Sequence, residues 1–287
     1  CGAVPIGTPH MRYELVIRDV IASSVEIMSQ VQLLDGLVVL ASCDSIIPGV
    51  FIGALRSGLP TIFLSGGPQL TCVTEGRQAV MSELDQLVFG AQYGTEDVSE
   101  RLQYLENHVC PGPGACALMG TANTMQILME VLGMSLPGSA TVPGVYAEKL
   151  RYATQTGRRA VELTRQGITP RQILGRENLH NAIMALLALG GSTNGVLHLL
   201  SYARELEIPL SLEDFDELSR KVPVISRVIP TGKATVMDLH HAGGVPALMG
   251  ELRDYLHPQA KSVSGKTAGE IAAGNHSKNY EVLTSAS

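Results

Sequence analysis

The sequence predicts an α/β domain built on a parallel sheet with helices on both faces, and three observations carry that expectation. Leu37-Val38-Val39-Leu40-Ala41 is a continuous aliphatic run, as expected of a strand buried on both sides. A second such run, Pro60-Thr61-Ile62-Phe63-Leu64-Ser65, follows after a helical apolar pattern, so strand, helix and strand make one βαβ unit. The composition agrees: 45% of the 287 residues are apolar, only 4% are aromatic, and 30 are glycine, which suits an aliphatic core with glycine turns.

Residues 1–10 hold Gly2, Pro5, Gly7 and Pro9 and read as a loop. From Met11 to about Val31 the apolar positions Leu15, Ile17, Val20, Ile21, Val25 and Met28 recur at helical spacing. The βαβ unit comes next, its first strand ending in Cys43-Asp44-Ser45 and its second in Gly66-Gly67-Pro68. Residues 72–92 read as mostly helical, and Thr95-Glu96-Asp97 as the cap of a helix running to His108. Cys110-Pro111-Gly112-Pro113-Gly114 excludes regular structure and leads into a buried helix ending near Gly133, with Cys116 expected in its first turn. There, free N–H groups and the helix dipole would favour a thiolate.

A helix over about 145–166 precedes Thr169-Pro170, an N-cap with proline at the first helical position. Residues 177–189 form another helix, broken at Gly190-Gly191-Ser192-Thr193-Asn194-Gly195, and His198 lies in the helix that follows. Ser211 with Asp214 caps a further helix. Residues 222–229 read as a strand and 245–256 as a last amphipathic helix. Residues 1–258 are therefore expected to form the α/β domain. Residues 259–287, rich in Gly, Ser, Thr, Lys and Ala, read as a linker or tail towards a further domain.

The net charge of −6 comes without a basic block, so nucleic acid is not an expected partner. No apolar run approaches the roughly 20 residues needed to span a bilayer, and no signal peptide stands out, so a cytoplasmic protein is expected. The five cysteines (1, 43, 72, 110 and 116) have no framework spacing, which argues against structural disulfides.

Ligands of such sheets bind outside the carboxyl ends of the strands, where this reading places Cys43, Asp44 and Ser65. A soft thiolate beside a hard carboxylate suits two different metals, although a buried cysteine is more often a packing residue. Cys110 and Cys116 are spaced more widely than the pairs that hold structural zinc. The Ser192-Thr193-Asn194 loop offers hydroxyls, an amide and free N–H groups to a carboxylate or phosphate, but equally serves as a helix corner.

Cys43-Asp44-Ser45-Ile46-Ile47-Pro48-Gly49 resembles the Cys-Asp-Lys-x-x-Pro-Gly motif of the dihydroxy-acid and phosphogluconate dehydratase family. The segments 63–68, 114–116 with 121–125, 136–139, 190–194 with 197–199, 219–223 and 242–246 follow in that family's order, over about residues 7–270. The resemblance implies a hydro-lyase converting a 2,3-dihydroxy acid to a 2-keto acid. It also implies an iron–sulfur cluster, [2Fe–2S] or [4Fe–4S], and a Mg²⁺ ion. Cys43 and Cys116 fall on cluster positions and Asp44 on a magnesium position; Ser192, Thr193 and Asn194 are assigned to the substrate side. Relatives resembling this chain are dimers or tetramers. Branched-chain amino-acid synthesis is the first expectation for the substrate, a sugar acid the second, and a non-catalytic paralogue the third. The third arises because Ser45 replaces the family's lysine and Gly2 and Thr8 stand where the family has Asp and His. The family's third cluster cysteine and its serine base belong to segments flanking this chain, so the 287 residues alone are expected to hold half a site and not to turn over substrate.

Overall fold

The computed structural model describes residues 8–74, 76–91, 94 and 98–286. A 3-10 turn, Pro9–Tyr13, leads into α1 (Glu14–Val31). The unit expected from the aliphatic runs follows as β1 (Leu37–Ala41), α2 (Ile46–Ser57) and β2 (Thr61–Ser65). The two strands pair in parallel with Leu37 opposite Thr61 and Ala41 opposite Ser65, so both carboxyl ends open on the same side. Val39 and Ala41 are buried, as is every residue of β2.

Helix α1 lies across α2 at very close range. A Cβ on Gly53 would stand 2.5 Å from the Ala22 carbonyl oxygen, so glycine at this position lets the backbones meet. The opposite face of α1 is apolar too: Ile17, Val20, Ile27 and Val31, spaced by three, seven and four residues, are exposed, as are Val38 and Leu40 on β1.

Beyond β2 the chain forms β3 (Cys72–Thr74) and β4 (Arg77–Ala79), an antiparallel hairpin, then α3 (Met81–Ala91) and α4 (Ser99–His108). The expectation of helix across 72–92 therefore fails for its first half, where Gly76 turns the chain between two three-residue strands. The cap expected at 95–97 lies outside the described residues. The remaining helices are α5 (Thr121–Val131), α6 (Ala147–Gln166), α7 (Pro170–Ile173), α8 (Arg176–Leu189), α9 (Asn194–Glu205), α10 (Leu212–Ser219), α11 (Val236–His241), α12 (Gly244–Glu251) and α13 (Ala268–Ala272).

The caps at Thr169 and Ser211 form as expected; the Ser211 N–H donates to Asp214 Oδ2 at 2.8 Å. Helix α6 packs on β2, and α5, buried at every position from Asn123 to Val131, is the central rod of the core.

Two further expectations are corrected. Residues 222–229 are not a ladder strand: Ser226 and Val228 make only isolated bridges to Leu283 and Ala234. Residues 259–286 are not a free linker. Val263, Ile271, Val282 and Leu283 are buried in the main core, and the Arg227 N–H donates to the Val282 carbonyl. Buried apolar anchors spread through polar text hold this stretch down.

Candidate metal and substrate site

The β1 run ends at Ala41, and the chain must turn from strand into α2 within four residues. Cys43 takes that turn with a φ of +101°, a conformation that side-chain-bearing residues rarely adopt. Such strain costs about 1–3 kcal/mol and concentrates at functional positions. It leaves Cys43 half-buried at the mouth of the sheet, next to Asp44.

Asp44 is held from two sides. Asn194 Nδ2 donates to Oδ2 at 3.1 Å, and His198 Nε2 lies 3.3 Å from Oδ1. Asn194 and His198 sit one turn apart on the same face of α9. The network continues: Asn194 Nδ2 reaches Thr121 Oγ1 at 3.2 Å, Thr121 Oγ1 and Ser192 Oγ are 2.7 Å apart, and the Ser192 N–H donates to Thr124 Oγ1. The residues assigned from sequence to the metal and substrate sides, Asp44 with Ser192 and Asn194, are thus one hydrogen-bonded group. A cavity of about 550 Å³ opens beside it, lined by Gly120, Thr121, Ser192, Thr193 and Pro230 among others. Thr193 lines this cavity as the N-cap of α9 and contributes no capping hydrogen bond.

Cys116 reaches the same end of the sheet by another route. The strand β2 extends into a bridge between Pro68 and Ala115, where the Gln69 N–H donates to the Ala115 carbonyl at 2.7 Å. Asn123 Nδ2 then donates to the Cys116 carbonyl at 2.5 Å and the Leu118 carbonyl at 2.8 Å, fixing the loop to the start of α5. Cys116 is therefore not in the first turn of that helix, which begins at Thr121 behind Gly120. The thiolate expected from the dipole fails with it. Burial raises the Cys116 thiol above its ordinary value, and the nearby Cys110 and Cys43 add to the effect. A bound cation would act in the opposite direction and favour the thiolate. Cys110 is exposed, with Gln69 Nε2 donating to its sulfur at 3.6 Å. Among the described residues, no three His, Cys, Asp or Glu side chains form a group that could hold a metal ion.

Ser45 begins α2 with its hydroxyl buried and without a hydrogen-bond partner among the described residues. His198, Arg18 and Thr121 were not singled out as site residues from sequence. The four-residue spacing of Asn194 and His198 was the available signal; Arg18 is 180 residues away in the chain and gave none.

The fold and site define a mixed α/β domain that gathers thiols and a carboxylate at the open end of a short parallel sheet. The sequence matches the family model "Dihydroxy-acid/6-phosphogluconate dehydratase N-terminal" over residues 1–271, and the chain belongs to that family. It is 40% identical over 287 residues to a dihydroxy-acid dehydratase of Ruminiclostridium cellulolyticum, covering 99% of this chain and 52% of the relative. It is 44% identical over 277 residues to one of Ignicoccus hospitalis (94% and 49% covered) and 43% identical over 273 residues to one of Pyrococcus furiosus (94% and 49%). The chain spans about half the length of these relatives.

The donor set fits an iron–sulfur cluster and a hard divalent cation in kind but not in number. Two half-buried thiols suit iron, and each Asp44 oxygen keeps a lone pair beyond its hydrogen bond for a hard cation. A third cluster ligand is not among the described residues.

Proposed function

We propose that this chain is the cluster- and magnesium-binding portion of a hydro-lyase that dehydrates a 2,3-dihydroxy acid to a 2-keto acid, most directly in branched-chain amino-acid synthesis. The observation that carries the reading is the grouping of Asp44 with Ser192, Asn194 and Thr121 at the strand end that also bears Cys43. Family membership over nearly the whole chain supports the reaction class, and the names of the relatives support a dihydroxy-acid substrate.

Loss of hydroxide from a carbon next to a carboxylate-bearing carbinol needs a Lewis acid on the leaving oxygen and positive charge on the developing enolate, which a bound cluster and Mg²⁺ supply. This chain's own residues do the holding. Cys43 and Cys116 would ligate iron, and Asp44 would ligate magnesium. Ser192 and Thr193 line the cavity where a substrate carboxylate would meet hydroxyls and the start of α9. The catalytic base and the third cluster cysteine would come from the rest of a longer polypeptide, which we also expect to be cytoplasmic and a homo-oligomer. Ser45 cannot form the carbamate of the family's lysine, so we expect its metal site to be weaker than that of lysine-bearing relatives.

The test is 2-keto acid formation by the full-length protein, purified without oxygen and supplied with Mg²⁺. A branched-chain 2,3-dihydroxy acid is expected to be turned over faster than an aldonic acid. Turnover of neither, with a cluster present, would overturn the assignment and favour a non-catalytic role.

A further inference from the structure

His198 sits in the second turn of α9 with its side chain 1% exposed, and both of its nitrogens are engaged. Nε2 is 3.3 Å from Asp44 Oδ1, and Nδ1 is 3.5 Å from Arg18 Nη1. Arg18 itself is only 14% exposed and donates from the same Nη1 to Ser201 Oγ at 2.9 Å, one helical turn beyond His198. A guanidinium has five donors and no acceptor, so the nitrogen facing it must be the acceptor of the ring. The proton then lies on Nε2, facing a carboxylate that can only accept. The opposite tautomer would set N–H against N–H at one end and lone pair against lone pair at the other. The ring is thus fixed from both sides.

We propose that Arg18 and His198 form a positioning relay for Asp44. Arg18 selects the Nε2–H tautomer of His198, and that N–H fixes the rotation of the Asp44 carboxylate towards the cation site. Asn194 holds the second oxygen from one turn earlier on the same helix, so the carboxylate plane is set by two donors on α9. This is the usual arrangement of a metal-bound histidine oriented by a carboxylate, with the roles exchanged: here a histidine orients the carboxylate, and an arginine orients the histidine. Helix α1 supplies the arginine, so the first helix of the domain is tied to the geometry of a site built by β1 and α9. The proposal rests on Asp44 being the cation ligand, but the relay itself has a readout that needs no metal.

That readout is the tautomer. In the full chain labelled with ¹⁵N-histidine, long-range ¹⁵N–¹H correlation is expected to show the His198 ring in the Nε2–H form, its signal assigned by its loss in His198→Gln. Arg18→Met, which keeps the length and removes the donor, is expected to give a mixture of tautomers. An Nδ1–H ring in the parent chain, or an unchanged ring in Arg18→Met, would overturn the relay. The second measurement is Mn²⁺ affinity by electron paramagnetic resonance. His198→Leu is expected to lose on the order of tenfold or more, while His198→Gln, whose amide N–H reaches the place of Nε2, recovers most of it at equal urea midpoint. Equal Mn²⁺ binding by the parent and His198→Leu would overturn the positioning role. No Mn²⁺ binding by the parent, with the Nε2–H tautomer present, would refute Asp44 as a cation ligand and leave the relay standing.

Discussion

Cys43 offers a direct test of whether the strand end is built for a thiol rather than for stability. Its φ of +101° is one that glycine adopts freely and alanine does not. At an ordinary position, replacing alanine by glycine lowers stability by about 0.5–1 kcal/mol through backbone entropy. In the left-handed region a Cβ costs about 1–2 kcal/mol. The two terms oppose each other, and the strain is the larger. Cys43→Gly is therefore expected to be more stable than Cys43→Ala by about 0.5–1 kcal/mol. Both variants lose the same half-buried sulfur, so its burial cancels in the comparison. Urea unfolding followed by circular dichroism, at equal slope, measures the difference. An alanine variant as stable as the glycine variant, or more so, would show that Cys43 is not strained, and the argument that this turn sacrifices stability for a ligand would fall.

Two further predictions concern the support of the site. Gly114 has a φ of +132°, and a Cβ there would stand 2.3 Å from the Gln69 nitrogen, where only backbone could yield. Gly114→Ala is expected to cost about 2–4 kcal/mol, from strain and overpacking together, and to speed the reaction of Cys116 with a thiol reagent; a change in unfolding free energy within about 0.5 kcal/mol would refute the seating of that loop. Beneath the sheet, Glu130 accepts the Gly138 and Ala140 N–H groups and lies near the buried Lys149, and burial pushes its carboxyl up to about 7. Because that value is above the ordinary 4.5, the stability Glu130 contributes is complete below pH 4.5 and is lost as pH rises through about 7, by up to about 3 kcal/mol. Lys149, lowered by burial to about 8, acts only between there and its ordinary 10.5, where stability rises with pH. Chemical denaturation between pH 5 and 7 is expected to show the downward slope in the parent and its absence in Glu130→Gln; identical slopes would contradict the assignment.

What was legible in the sequence follows from how local the signal is. The βαβ unit and the pair Cys43-Asp44 could be read because uninterrupted aliphatic runs mark strands whose ends locate the mouth of the sheet; burial on both faces holds for β2 but not for β1, where Val38 and Leu40 are exposed. The caps at Thr169 and Ser211 could be read because their partners are three residues away. The β3–β4 hairpin could not, since three-residue strands carry no period. The packing of residues 259–286 was hidden because Val263, Ile271, Val282 and Leu283 are too widely spaced to form a pattern. Cys116 was placed one turn too far along because its apolar neighbours read as helix, whereas Gly120 sets the start of α5. The support of Asp44 was the least visible part: Asn194 and His198 touch it, one turn apart on α9, but Arg18 and Thr121 act only through those two residues and come from other helices, which no local spacing records.

The central claim, that the strand end at Cys43 and the loop at Cys116 hold an iron–sulfur cluster, is tested most directly by iron and acid-labile sulfide analysis of the full-length protein purified without oxygen. The account predicts iron and sulfide in the parent and in Cys110→Ser, and their loss in both Cys43→Ala and Cys116→Ala. A colourless, iron-free parent, or a cluster retained by both of those variants, would contradict it.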